Sequence, residues 1–221
     1  MLISTSKFRK KYFSQYGECV LLSALFLGQK NGSYIDVGAG HPIDNSVSYR
    51  FYINGWRGVT IDPIKKNHQM AKKLRKFDKH ILAACTDRLG QATFNQYSQY
   101  EFSTSDPSRV LELASMNLQP EATFTLPTIT LESLEVAVTP DQSHFLSIDV
   151  EGSEMKVLKG NDFNSYLPGV ICIEERLSPL GFSAPTEISK FLTQFGYQLE
   201  AYLSLSSIYV HQDANIRDLR Q

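Results

Sequence analysis

Residues 34–40 read Tyr-Ile-Asp-Val-Gly-Ala-Gly, a short apolar run that ends in two glycines. A second apolar run, residues 58–61, ends directly before Asp62, 22 residues after Gly40. A β-strand that ends in glycine lets the backbone approach a bound ligand, because no Cβ stands in the way. The next parallel strand can then place a carboxylate beside a ribose diol. The two runs together predict a nucleotide-type cofactor site at one edge of a parallel sheet.

The glycine spacing distinguishes two kinds of cofactor. A dinucleotide site requires a third glycine for close helix packing, and Ile43 occupies that position in this chain. The pattern instead has an acidic residue, Asp36, two positions before Gly38. An acidic residue there suits a ligand with a cationic amino acid end, which favours S-adenosylmethionine. A plain turn that binds no ligand is the alternative.

The bulk composition fits one enzyme domain that spans residues 1–221. With 42% hydrophobic residues the chain can bury a substantial core, and its net charge of −1 argues against nucleic acid as a partner. Cys19, Cys85 and Cys172 lie singly in apolar runs, as expected of buried thiols in a reducing compartment. No signal-peptide pattern and no apolar run of 18 residues occurs. We therefore expect a cytoplasmic protein without a transmembrane segment, and the sequence leaves its oligomeric state open.

Apolar runs and helix-like segments alternate along the chain. An N-terminal helix is expected within residues 13–30, and strands at about 33–38, 57–62, 81–85, 145–150 and 170–174. Helices are expected at about 45–54 and 64–76. Continuously apolar runs are typical of strands that are covered on both faces, as in a doubly wound α/β sheet. The predicted cofactor contacts lie at the ends of the first three of these strands or directly after them: Asp36, Gly38, Ala39, Gly40, Asp62, Pro63 and Asp87.

The last third of the chain departs from the repeating pattern. A helix that begins near Pro185 is followed by two strand-like runs, residues 197–203 and 206–210. The link between these runs is too short for a helical crossover, so they must form an antiparallel hairpin. A mostly parallel sheet that ends in such a hairpin predicts the Rossmann-like fold of class I methyltransferases. Dinucleotide-binding dehydrogenase sheets lack the hairpin.

Six blocks of the sequence resemble the FkbM-type S-adenosylmethionine-dependent methyltransferases. The blocks are FSQYGE (13–18), YIDVGAGHP (34–42), GWRG (55–58), IDP (61–63), FLSIDVEG (145–152) with Glu154 and 157–159, and VICIEE (170–175). The resemblance extends over residues 13–212. Two positions depart from the usual pattern, because Cys19 replaces an acidic residue and Gly40 replaces asparagine.

The resemblance implies methylation of a hydroxyl oxygen on a sugar, a glycolipid or a polyketide natural product. A sugar hydroxyl is a weak acid, so a base is expected near the end of the fourth or fifth strand. We predict Asp149 as that base, with Glu151 and His41 as further catalytic candidates. The alternatives are that Asp149 or Glu151 caps the helix that begins at residues 152–154, and that His41 is a surface loop residue.

Three carboxylates are expected at neighbouring strand ends: Asp149, Glu174 and Glu175. Oxygen ligands in such a cluster suit Mg²⁺ or another divalent cation, which would lower the pKa of an acceptor hydroxyl. The alternative is that one glutamate pairs with Arg176 and the other is solvated.

The segment 86–143 is an insert at the carboxyl edge of the predicted sheet. Long inserts there commonly cover an active site, so we place recognition of a small-molecule or glycan acceptor in it. Its aromatic residues Tyr97, Tyr100 and Phe102 can stack on a sugar or belong to the core.

The lysine-rich helix 64–76 is either a solvated face or a site for an anionic, carrier-linked acceptor or an anionic membrane surface. Two other classes stay open for the whole chain: an NAD-dependent oxidoreductase of Rossmann type and a non-catalytic cofactor-binding partner protein.

Overall fold

The computed structural model describes residues 12–175 and 184–217. The strands are β1 Ser33–Val37, β2 Arg57–Ile61, β3 Lys79–Ile81, β4 Ala84–Cys85, β5 Gly90–Gln96, β6 Ala122–Ile129, β7 His144–Ile148, β8 Val170–Glu174, β9 Tyr197–Leu203 and β10 Ser206–His211. The helices are α1 Glu18–Leu25, α2 Tyr49–Ile53, α3 Lys65–Leu74, α4 Pro107–Ser115, α5 Glu154–Lys159 and α6 Glu187–Thr193. None of the helices within these ranges is long and apolar enough to cross a bilayer.

Seven strands form the central sheet in the order β3-β2-β1-β7-β8-β10-β9. The first five are parallel to one another, whereas β10 runs antiparallel to both β8 and β9. Because β1 and β7 are adjacent and their following helices leave in opposite directions along the sheet, their carboxyl ends open a crevice. The predicted fold class is confirmed: a doubly wound, mostly parallel sheet with a C-terminal antiparallel hairpin, as in class I methyltransferases.

Both faces of the central sheet are covered, as the apolar strand runs predicted. Tyr34 and Phe145 project to one face, where they pack with residues of α1 and α2. Ile35 and Leu146 project to the other face and pack with residues of α5 and α6. This alternation between neighbouring residues follows from the strand period of two.

The prediction of one strand over residues 81–85 is wrong. Strand β3 ends at Ile81, and the chain leaves the sheet at Leu82, which is 38% exposed. Ala84 and Cys85 pair instead with β6 in a separate three-stranded sheet, β4-β6-β5. An apolar run predicts an extended chain but does not say which sheet receives it. The other two strands of this second sheet, β5 and β6, belong to the insert 86–143, and the sheet carries side chains to the carboxyl edge of the main sheet.

Candidate active-site cavity

A cavity of ≈ 290 Å³ lies at the carboxyl ends of β1, β2, β7 and β8. Sites of this kind are expected at the switch point of a doubly wound sheet, and the volume is near the lower end of the usual range for small ligands. Nine of the residues proposed from the sequence line it: Gly38, Ala39, Gly40, His41, Asp62, Pro63, Asp149, Glu151 and Glu174.

The glycine turn after β1 is held by backbone contacts on both sides. The N–H groups of Gly38 and Ala39 donate to the carbonyl of Ile61 at 2.9 and 3.1 Å. Gly38 has φ 75°, and a Cβ at this position would overlap the carbonyl oxygen of Asp149. Position 38 therefore requires glycine because the backbone after β7 packs against it, and not because a ligand contacts it. The open part of the turn is Gly40, where a Cβ would meet the Tyr100 ring at 3.3 Å.

Asp62 joins the glycine turn to the start of α3. Its Oδ2 accepts a hydrogen bond from Gly40 N at 2.7 Å, and its Oδ1 accepts one from Ile64 N at 2.7 Å. Burial raises the pKa of Asp62 to about 7, although both N–H donors favour the ionised form. Asn67 Nδ2 also lies 3.4 Å from both carboxylate oxygens. A carboxylate can accept about four hydrogen bonds, so these three donors leave room for a hydroxyl group.

An apolar end of the cavity adjoins Asp62. Ile64, Ala84 and Phe94 pack against one another and line the cavity together with Ala83 and Cys85. Phe94 comes from β5, so the insert supplies one wall of this end. No spacing rule in the sequence connects Phe94 with the glycine turn. This flat apolar end suits an aromatic base.

Two predicted cofactor contacts lie elsewhere. The carboxylate of Asp36 is buried, accepts a hydrogen bond from the Ser48 hydroxyl and does not line the cavity. Burial raises the pKa of Asp36, and the nearby Arg75 opposes this shift. Asp87 is on the surface, where its carboxylate accepts a hydrogen bond from the Thr86 hydroxyl at 3.1 Å. The structure therefore does not bring Asp36 or Asp87 to the ligand side of the turn.

The opposite end of the cavity is acidic. One carboxylate oxygen of each of Asp149, Glu151 and Glu174 lies within 4.8 Å of the other two. The Asp149 side chain is open to the cavity, whereas the protein surrounds it on the remaining sides. Burial raises the pKa of Asp149 well above its usual value, and the neighbouring Glu174, Glu151 and Glu154 raise it further. Since Asp149 and Glu174 also share a hydrogen bond, a proton can reside between them.

Glu175 was expected in this cluster, and that expectation is wrong. Its carboxylate accepts hydrogen bonds from the Tyr209 hydroxyl at 2.8 Å and from the Thr186 hydroxyl. Neighbouring residues at the end of a strand point to opposite faces, so Glu174 and Glu175 cannot both enter the cavity. Glu151 takes the third position in the cluster instead.

The loop that carries Glu151 is fixed from two directions. Glu154 Oε1 accepts hydrogen bonds from Val150 N at 3.0 Å and Gly152 N at 3.1 Å. From the insert, Thr104 Oγ1 donates to the carbonyl of Glu151 at 2.8 Å, and Arg109 Nη2 lies 3.5 Å from Glu151 Oε2. The N-cap residue of α5 is Ser153, so neither Asp149 nor Glu151 occupies that position. Arg109 was not identified from the sequence, since only the fold brings α4 to this loop.

His41 lines the cavity beside the glycine turn. Its Nδ1 accepts hydrogen bonds from Ile43 N at 3.3 Å and Asp44 N at 3.0 Å. This bonding assigns the proton of the neutral ring to Nε2. The free ring nitrogen is then a donor, which makes His41 better suited to hold an oxygen than to remove a proton.

Three further segments of the chain line the cavity. Gln15, Tyr16 and Glu18 precede or begin α1, and Glu18 Oε1 accepts a hydrogen bond from Ser206 Oγ of the terminal hairpin at 2.8 Å. The insert contributes Tyr100, Phe102, Ser103 and Ser105. Tyr97, the third aromatic residue considered for acceptor contact, is buried outside the cavity.

Two solved structures resemble the fold. A TehB-like SAM-dependent methyltransferase from Corynebacterium glutamicum aligns at 10% identity and TM-score 0.46, over 94% of this chain and 91% of that chain. Precorrin-6y C5,15-methyltransferase from Geobacter metallireducens aligns at 14% identity and TM-score 0.40, over 94% of this chain and 95% of that chain. No curated protein sequence matches significantly. A family model for the methyltransferase FkbM domain matches residues 36–199, more than half of the chain, and the protein therefore belongs to this family of S-adenosylmethionine-dependent methyltransferases.

Proposed function

We propose that the protein transfers a methyl group from S-adenosylmethionine to a hydroxyl oxygen of a sugar, a glycan or a natural product. The observation that carries this proposal is one continuous cavity, one end of which suits a nucleoside while the other end is acidic. Ile64, Phe94 and Asp62 form the first end, whereas Asp149, Glu151 and Glu174 form the second. The cofactor and the acceptor can therefore bind next to each other in the same cavity.

The residues at the first end fit the cofactor by their chemistry. The apolar wall of Ile64, Ala84 and Phe94 suits the adenine ring, and the buried Asp62 carboxylate suits the ribose diol. Gly40, which has φ 59°, leaves the backbone open beside that carboxylate. When bound, S-adenosylmethionine supplies a methyl group that is already activated by the sulfonium.

The protein must then orient the acceptor oxygen and accept its proton. Asp149 is the proposed base, because it is the carboxylate of the acidic cluster whose pKa is raised by burial and by three neighbouring carboxylates. A carboxylate with a raised pKa is a stronger base when ionised, which suits proton removal near neutral pH. The proton can be shared with Glu174 after transfer.

The insert supports an acceptor that has both flat and hydroxylated surfaces. Tyr100 and Phe102 offer aromatic faces at the cavity, and Ser103 and Ser105 offer hydroxyl groups beside them. This combination is typical of carbohydrate recognition, in which aromatic rings cover the apolar face of a sugar.

Binding of a divalent cation stays a prediction, but one of the expected ligands changes. Glu151 replaces Glu175 beside Asp149 and Glu174, and the oxygens of these three carboxylates suit Mg²⁺. Of the other two classes, the family membership disfavours an oxidoreductase. A non-catalytic cofactor-binding partner would have no use for the acidic end of the cavity.

The test is transfer of a labelled methyl group to a panel of glycans and hydroxylated natural products, with the product located by mass spectrometry. Asp149→Asn should lower kcat about 10² to 10⁴-fold while S-adenosylhomocysteine affinity stays within about twofold, since the amide is isosteric. Glu175→Gln is the matched control, because Glu175 carries the same charge outside the cavity and should keep full kcat. Full activity of Asp149→Asn, or methylation at nitrogen or carbon, would contradict the proposal.

A further inference from the structure

The charge of the chain is unevenly distributed. Residues 45–80 contain nine Lys and Arg but only two acidic residues, Asp62 and Asp78, so this segment carries +7. Because the whole chain carries −1, the remaining residues together carry −8. Both acidic side chains of the segment are buried, and Asp78 pairs with the buried Arg75 at 2.9 Å. The surface of the segment is therefore almost purely cationic.

Large apolar side chains lie among these cations. Phe77 is 71% exposed, Ile53 is 52% exposed and Leu74 is 48% exposed. The Arg57 guanidinium lies 4.9 Å from the centre of the Phe77 ring and 5.2 Å from the centre of the Tyr52 ring. Arg57 therefore connects the end of α2 with the segment that follows α3. We call the following residues the basic patch: Ile53, Arg57, Lys72, Lys73, Leu74, Lys76, Phe77 and Lys79.

The basic patch lies at the end of the sheet opposite to the cavity. Arg57 begins β2 and Lys79 begins β3, whereas Asp62 follows the end of β2. A strand of five residues separates the two ends by about 16 Å. A partner on the basic patch therefore leaves the cavity accessible.

We propose that the basic patch docks the protein on an anionic lipid surface. Lysines near such a surface each contribute to binding, and exposed Phe and Leu side chains enter the boundary between headgroups and acyl chains. Leu74 and Ile53 have no ring to stack on a base, so the patch fits a bilayer better than a single-stranded nucleic acid. Docking in this orientation presents the cavity to the aqueous side, where it can reach an acceptor that stands above the membrane.

The test is co-sedimentation of the full chain with vesicles of phosphatidylcholine alone or with about one third phosphatidylglycerol. Binding should require the anionic lipid and should be lost at about 0.5 M salt, where charges are strongly screened. Lys72→Gln with Lys76→Gln should weaken binding about 25-fold, since each lysine near the surface is worth about fivefold. Phe77→Ser should weaken it about tenfold.

Leu111→Ser is the matched control, because Leu111 is 72% exposed on α4, away from the basic patch. It should bind vesicles like the parent, and all variants should keep the parent's affinity for S-adenosylhomocysteine. The proposal is overturned if the parent ignores anionic vesicles, if it binds neutral vesicles equally, or if the patch variants bind like the parent. Binding to nucleic acid but not to vesicles at the same salt also overturns it.

Discussion

Asp62 is the residue whose ionisation we expect to control cofactor affinity. Its side chain is 6% exposed, and burial raises its pKa to about 7 despite the hydrogen bonds from Gly40 N and Ile64 N. A ribose hydroxyl donates more strongly to a carboxylate than to a neutral carboxylic acid. Cofactor binding therefore selects the ionised form, and affinity should rise as the pH increases through 7.

The size of the effect follows from that pKa. At pH 6 about one tenth of Asp62 is ionised, and at pH 8 about nine tenths. The affinity for S-adenosylhomocysteine should therefore rise about tenfold between these values, or about 1.4 kcal/mol, and level off above pH 8. Asp62→Asn cannot ionise, so its affinity should be about 2 to 3 kcal/mol weaker at pH 8 and independent of pH.

Isothermal titration calorimetry at pH 6, 7 and 8 measures this directly. His41→Gln is the control, because it removes the imidazole that lines the cavity beside the glycine turn and should preserve the tenfold rise. Asp62→Asn also weakens the bonds to Gly40 N and Ile64 N, so its unfolding must be followed in parallel. A parent affinity that is flat between pH 6 and 8 would refute the assignment of Asp62 to the ribose.

Two further outcomes test other parts of the structure. If Asp149, Glu151 and Glu174 hold a divalent cation, excess chelator should abolish turnover without changing the affinity for S-adenosylhomocysteine. Added Mg²⁺ should then restore turnover. Unchanged turnover in excess chelator rules out a catalytic cation. Burial lowers the pKa of His144 to about 3 from 6.5. The unfolded chain then binds the proton more readily, so the unfolding free energy should fall by about 2 kcal/mol from pH 6.5 to 5, and urea titrations of His144→Gln should lack this loss.

The sequence predicted the parts of the fold that depend on local patterns. Apolar runs identified β1, β2, β7 and β8, and the short link between β9 and β10 required an antiparallel hairpin. The same reasoning failed at residues 81–85, because an apolar run carries no information on the strand with which it pairs.

The site was predictable where it follows a strand end and not where it depends on tertiary contact. Gly38, Asp62 and Asp149 were identified because parallel strands deliver them to one edge. Asp36 was misplaced, since its side chain alternates to the buried face and bonds Ser48. Phe94 and Glu18, which line the cavity, were missed because the insert and the N-terminal segment bring them there from distant parts of the chain. Arg109 was missed for the same reason, since only the fold brings it to Glu151.

The identity of the cofactor is tested most directly by calorimetry of the parent protein with S-adenosylhomocysteine and, separately, with NAD. The cavity joins an apolar end, formed by residues such as Phe94, to the Asp62 carboxylate, and it has no third glycine to support a pyrophosphate. We predict saturable binding of S-adenosylhomocysteine at one site per chain, and no binding of NAD at the same concentrations. Tight binding of NAD, or no binding of S-adenosylhomocysteine, would contradict the account.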